Sequence, residues 1–206
     1  HLYIISDLLD SDLQKALRCQ SLRAVHRPLI AYQLLRALKY IHSAGVMHRD
    51  VKPSNVLLSA SCQVVLADFG WARRSPVDIY SSEGGIMTDY VSTRWYRAPE
   101  LLLSPDTCAS AVDMWSVGCI YAELLGMLEG TDLAERGPLF PSWPGNCQLN
   151  SIFSLLGKPS DAAISRLQVC EDARAYVRSF AECSGEGLRS RCQQADPGLV
   201  EMLEAH

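Results

Sequence analysis

Apolar and polar positions alternate with different periods along the chain. From Pro28 onward, Ile30, Leu34, Ala37, Leu38 and Ile41 recur at helical spacing, which predicts a helix from Pro28 to Gly45. Proline suits a first helical turn and glycine suits a helix end. Short β-prone runs at Val56–Leu58 and Val64–Leu66, joined by a small polar stretch, predict a pair of strands. Val112–Leu125 is apolar nearly all round, the pattern of a fully buried helix. Asp12–Arg18 has the composition of a short helix, and the run Leu-Tyr-Ile-Ile after His1 predicts a strand over residues 1–6. A Gly/Pro-rich loop at 126–147 leads to helical patterns at 148–156, 161–180 and 196–205. Residues 70–99 have no period and hold Pro76, Gly84, Gly85 and many Ser and Thr. So long an aperiodic stretch in a compact domain is commonly functional or mobile.

Composition narrows the class. At 206 residues and 48% apolar, the chain suits one ordinary domain and excludes a disordered or fibrous protein. A net charge of −4 gives no overall basic footprint, so nucleic acid is not the expected partner. The eight cysteines are scattered without C-x-x-C spacing, which predicts reduced thiols of an intracellular protein and no zinc site. No apolar run reaches the ~18 residues of a membrane span; the longest, from Met114 to Leu128, is broken by Glu123. The first residue is not Met, and the patterns at both ends run on without start or stop signals, so the expectation is a piece of a longer protein.

Three short motifs carry the chemistry. His48-Arg49-Asp50-Val51-Lys52-Pro53-Ser54-Asn55 lies between the helix and the paired strands. Asp68-Phe69-Gly70 follows the second strand, and Ala98-Pro99-Glu100 closes the aperiodic stretch. This ordered set resembles the protein-kinase signature: H-R-D-x-K-x-x-N, then D-F-G, then A-P-E. The resemblance implies an α+β protein-kinase-like fold, with a mainly α-helical C-lobe, short β-hairpins and a missing N-lobe. Residues 1–12 would be the last N-lobe strand and hinge, and 13–206 an incomplete C-lobe, all within one partial kinase domain.

The residue types fit phosphoryl transfer, in which a protein mainly positions an anionic group and neutralises charge. By resemblance, Asp50 orients the acceptor hydroxyl and takes its proton, Lys52 reaches the γ-phosphate, and Thr93 bonds into the catalytic loop. Asn55 and Asp68 would hold Mg²⁺, a cation that prefers oxygen ligands. The cofactors implied are ATP and Mg²⁺. Ser6 falls at the gatekeeper position, Asp7 and Leu9 would offer backbone groups to adenine, Asp12 would lie near the ribose, and Leu57 would form the adenine floor. Asp113 would anchor the backbone around His48, since a buried carboxylate needs donors.

Thr88-Asp89-Tyr90, followed by Val91-Ser92-Thr93-Arg94-Trp95-Tyr96-Arg97, resembles the activation lip of mitogen-activated protein (MAP) kinases. In that family both the Thr and the Tyr are phosphorylated. Arg49 and Arg73 would then bind phospho-Thr88, and Arg94 and Arg97 phospho-Tyr90; forked guanidinium groups suit phosphate oxygens. The partners implied are protein substrates with Ser/Thr-Pro sites, an upstream dual-specificity kinase and phosphatases, with no membrane role. The implied location is cytoplasmic, nuclear or both. Two other readings stand beside this one: a kinase of the same group that autophosphorylates Tyr90, and a non-catalytic kinase-like binding module.

Val51 and Trp71 stand where the family usually has Leu. The sequence holds no Gly-rich phosphate loop, no V-A-I-K-type lysine and no arginine recognisable as the family's partner of Glu100. The resemblance is strongest over the first 160 residues and weakens after about residue 180. The 206 residues alone are expected to be inactive.

Overall fold

The computed structural model describes residues 3, 5–19, 22–74, 94–104, 109–126, 137–142, 147–192 and 195–204. A two-residue strand β1 (Ser11–Asp12) runs into helix α1 (Leu13–Arg18), whose N-terminus is capped by Asp12. The long helix α2 (His26–Ser43) follows, then β2 (Val46–Met47), β3 (Val56–Leu58), β4 (Val64–Leu66) and β5 (Arg73–Arg74). The remainder is helical: α3 (Pro99–Leu103), α4 (Ala111–Leu125), α5 (Gln148–Leu156), α6 (Asp161–Arg166), α7 (Glu171–Arg178) and α8 (Pro197–Glu204). No helix among the described residues is long and apolar enough to cross a membrane.

Helix α2 begins two residues before Pro28, which puts the proline inside the first turn, where its missing N–H costs no helical bond. Gly45 ends it with φ at 71°, its N–H donating to the His42 carbonyl at 2.9 Å. The spacing of four along Ile30, Leu34 and Leu38 lays one stripe against α4, and all three are at most 1% exposed. On α4, Val117, Ile120 and Leu124 join the same core, which continues through Leu149, Ile152 and Phe153 of α5. Burying each such side chain contributes roughly 1.5–3 kcal/mol.

The strands form two small sheets. β3 pairs antiparallel with both β1 and β4, with Asp12 opposite Leu57 and Val56 opposite Leu66. β2 pairs antiparallel with β5, Met47 facing Arg73. Together the sheets bracket residues 48–55 and 67–72, fixing where both motif loops begin and end.

Two sequence expectations are corrected. The described residues of 1–6 form no strand, and Tyr3, Ile5 and Leu8 are 82%, 96% and 99% exposed. β-propensity holds a strand only where a neighbour accepts its ladder, and no described strand lies beside this run. The pattern at 161–180 is two helices rather than one. The chain breaks at Leu167, whose carbonyl is satisfied by two guanidinium N–H groups of Arg174 at 2.9 and 3.2 Å. That cross-brace keeps the apolar residues of α6 and α7 on one face across the break. The cysteines among the described residues are free thiols.

Candidate active site

The loop after β2 is built around buried polar contacts. His48 is fully buried, with Nε2 2.9 Å from the Ala67 carbonyl and Nδ1 accepting the Asp50 N–H at 3.3 Å. Those partners place the ring hydrogen on Nε2. The His48 ring meets Phe69 edge-on with centroids 4.8 Å apart, which ties the first motif loop to the second.

Asp50 is the focus of the loop. Its Oδ2 accepts from Lys52 Nζ at 2.6 Å and from Asn55 Nδ2 at 3.1 Å; the same Asn55 nitrogen donates to the Asp50 carbonyl at 2.9 Å. The Asp50 side chain is 7% exposed. One carboxylate oxygen is therefore engaged twice, which sets the direction of the other. Both of Asn55's amide bonds go to Asp50, so its side-chain oxygen faces away from that residue.

The hairpin positions the second motif. Val56 pairs with Leu66, and the Ala67 N–H donates to the Asn55 carbonyl at 2.9 Å, so Asn55 and Asp68 stand at the same end of β3 and β4. Asp68 is exposed and takes a left-handed backbone with φ of 62°, its Oδ1 accepting the Gly70 N–H at 3.3 Å. An amide oxygen and a carboxylate at one hairpin end are hard donors, the chemistry magnesium requires, and two protein ligands are usual for that ion beside substrate phosphates.

Beneath the loop lies Asp113, in the first turn of α4 and wholly buried. Its Oδ2 accepts the His48 N–H at 2.9 Å and its Oδ1 the Arg49 N–H at 2.7 Å. Arg49 has φ of 66°, a conformation that costs a residue with a β-carbon about 1–3 kcal/mol and persists only where neighbours hold it.

The other site residues are more dispersed. Leu57 is half-buried in β3, and its register partner Asp12 spends its carboxylate on α1, accepting the Lys15 N–H at 2.8 Å and pairing with Lys15 Nζ at 3.1 Å. Ser6 and Asp7 are exposed, and Leu9 is half-buried. Arg73, in β5, is exposed and donates to the Ala72 carbonyl at 3.1 Å. Its register partner Met47 lies two residues before Arg49. Arg94 is exposed, Arg97 is half-buried, and a turn joins them through the Arg97 N–H to the Arg94 carbonyl at 3.0 Å. Glu100, for which the sequence offered no recognisable partner, is half-buried and does make an interaction. Thr88, Tyr90 and Thr93 lie outside the described residues.

Sequence reasoning missed two contacts. His42 Nε2 lies 2.7 Å from Asp113 Oδ2. Tyr96 is clamped to α4 twice, its hydroxyl donating to Glu123 Oε2 at 2.6 Å and its carbonyl accepting from Ser116 at 2.7 Å. Burial pushes the Glu123 carboxyl up, and the Tyr96 hydroxyl and Arg18 oppose that. Ser116 and Glu123 are seven residues apart, two helical turns, a spacing that would have placed them on one face.

The arrangement has known counterparts. Residues 1–132 match the protein kinase domain family. The chain is 44% identical over 205 residues to the mitogen-activated protein kinase homolog MMK2 of Medicago sativa, covering 99% of this chain and 51% of that protein. It is 41% identical to the mitogen-activated protein kinase spk1 of Schizosaccharomyces pombe, covering 98% and 51%. Against mitogen-activated protein kinase 6 of Oryza sativa subsp. japonica it is 42% identical, covering 98% and 50%. The likeness thus extends past residue 180, where the motifs had faded. The chain spans about half the length of the curated relatives it matches. Protein kinases in general use ATP and Mg²⁺. With the motif loops assembled as described and the family model matched over 132 of 206 residues, the chain belongs to the protein kinase family.

Proposed function

We propose that the whole protein is a Ser/Thr kinase of the MAP kinase type. It would transfer the ATP γ-phosphate to Ser or Thr followed by Pro in protein substrates. The observation that carries the reading is the buried Asp50 carboxylate, held by Lys52 and Asn55 on a loop anchored from below. The relatives named MAP kinases supply the type.

Asp50 orients the acceptor hydroxyl and takes its proton as the phosphoryl group arrives. Lys52 leaves its contact with Asp50 or shares it, presenting positive charge to the transferring group. Asn55 and Asp68 hold magnesium, which when bound neutralises charge on the phosphate oxygens. Leu57 and the segment Ser6–Asp12 cradle the nucleotide. Thr88 and Tyr90 accept activating phosphates from an upstream dual-specificity kinase, and Arg49, Arg73, Arg94 and Arg97 read them. Thr93 bonds into the catalytic loop.

The test is phosphorylation of a Ser-Pro or Thr-Pro peptide by the full-length protein, with and without phosphate on Thr88 and Tyr90. Activity is expected in the doubly phosphorylated form, and Asp50→Asn should lower kcat by about 10²–10⁴-fold. The 206 residues alone, lacking a Gly-rich loop and its lysine, are expected to turn over nothing measurable. Equal activity with and without the two phosphates would refute the MAP kinase type. No activity in either form would favour a binding module.

A further inference from the structure

Outside the catalytic region, charge gathers where α6 gives way to α7. Arg174 directs Nε and Nη2 to the carbonyl of Leu167, the residue that ends α6, and its Nη1 donates to Glu171 Oε2 at 3.0 Å. Arg178 donates through Nη1 to Glu171 Oε1 at 2.7 Å and through Nη2 to the Ser165 hydroxyl oxygen at 3.4 Å. Among the described residues, two guanidinium groups thus share one carboxylate and keep an excess of positive charge beside Ser165. That serine is exposed, in the last turn of α6, and its hydroxyl donates to the Asp161 carbonyl at 2.8 Å.

We propose that Ser165 is a phosphorylation site whose phosphate is bound by Arg178, with Arg174 beside it, in place of Glu171. The donor is a nucleoside triphosphate. The bond from Ser165 Oγ to the γ-phosphorus forms as the bond from that phosphorus to the β-bridging oxygen breaks, and the hydroxyl proton passes to a base of the modifying kinase. Arg166 follows Ser165, so the Pro-directed activity proposed above does not supply this phosphate; a kinase with no requirement for Pro does. Helix α6 has six residues, too few to be stable unless packed, so local opening presents Ser165 to such an enzyme.

Phosphoserine carries about −1.5 to −2 charge at neutral pH and three acceptor oxygens, which reach beyond Oγ toward a guanidinium already at hydrogen-bond range. That charge attracts the two arginines more strongly than the carboxylate of Glu171, and forked donors fit phosphate oxygens. Glu171 is 66% exposed, so water replaces its partners when it lets go. A phosphate in the last turn of a helix is ordinarily repelled by the helix's negative end. Here Arg174 covers that end through its two bonds to Leu167. The acidic neighbours are Asp161, four residues earlier on α6, and Asp172 on α7; Arg166 and Arg178 oppose them, and Lys158 is matched by Glu182. The exchange has a consequence for the fold. Glu171, Arg174 and Arg178 all lie on α7, so their ion pairs stay within one helix, whereas a phosphate on Ser165 bound by Arg178 ties α6 to α7 across the break.

The experiment installs phosphoserine at position 165 of the full-length protein during synthesis and follows its phosphorus NMR signal against pH. Held by Arg178, the phosphate should lose its second proton about one pH unit below the ordinary value of about 6. Arg178→Gln should return that midpoint to about 6, and Arg178→Lys, which keeps the charge without the fork, should fall between. Amide exchange in α6 should slow on phosphorylation in the wild-type background and not in Arg178→Gln. A midpoint near the ordinary value in the wild type, or one that Arg178→Gln leaves in place, would overturn the binding by arginine. The site itself is tested by mass spectrometry of the protein isolated from its own cells under phosphatase inhibition. Phosphate on Ser165 is expected there, and its absence would overturn the proposal.

Discussion

Two segments flank the expected nucleotide position, and they are built in opposite ways. The catalytic loop, residues 48–55, is buried or half-buried throughout and cross-bonded: His48 to Ala67, Asp50 to Lys52 and Asn55, and both His48 and Arg49 amides to Asp113. The segment of residues 5–8 is the more apolar of the two in sequence, yet Ile5 and Leu8 stand almost wholly in solvent. The difference lies in where the partners are. The bonds just named come from the loop itself, from Ala67 after β4 and from Asp113 on α4. A β-prone run has no such supply unless another strand lies alongside it. The catalytic loop is thus held by its own bonds and by α4, while residues 5–8 lie beside no described strand.

Breaking the buried side should have the largest effect. Asp113→Ala leaves two loop amides and His42 without their acceptor, and removing one partner of a buried charged network costs about 3–5 kcal/mol. Chemical denaturation of the wild-type and variant proteins would show it. A loss below about 1 kcal/mol would mean that the loop is held by packing alone.

A smaller effect is expected at the Tyr96–Glu123 clamp, which fastens the Arg94–Ala98 segment to α4. Burial raises the Glu123 carboxyl above its usual 4.5, so the folded state binds that proton more readily than the unfolded chain does. The associated stability is present below pH 4.5 and is lost as pH rises through the folded value. Glu123→Gln removes the titration. Thermal unfolding from pH 4 upward should show the variant gaining on wild type as pH increases, and parallel curves would refute the assignment.

The smallest effect belongs to the exposed side. Ile5→Ser and Leu8→Ser in this chain should change unfolding free energy by no more than about 0.5 kcal/mol, the usual range for surface substitutions. A larger loss would mean that the segment packs on something, and the contrast between the two sides would fail.

Much of this was legible from residue order, for reasons that differ by element. Helix α5 and strands β3 and β4 coincide with their patterns because each buries one face and little else competes. Asp113 was legible only through the motif around it, since a lone carboxylate in an apolar helix has no periodic signature. His42 was illegible: in a helix with an exposed polar side, a histidine looks like any solvated residue. The break between α6 and α7 was hidden because Arg174 lets the amphipathic pattern continue across it. The two-residue strands β2 and β5 are too short to carry a period, and only their pairing defines them.

The claim that the catalytic loop is preset, and the adjoining segment is not, can be measured in one experiment. Amide exchange followed by NMR would compare His48, Arg49 and Asn55 with residues 5–8 in the same sample. The account predicts strong protection at the three loop amides, which bond to Asp113 and to the Lys52 carbonyl, and exchange near the unprotected rate at residues 5–8. Similar rates in the two segments would contradict it.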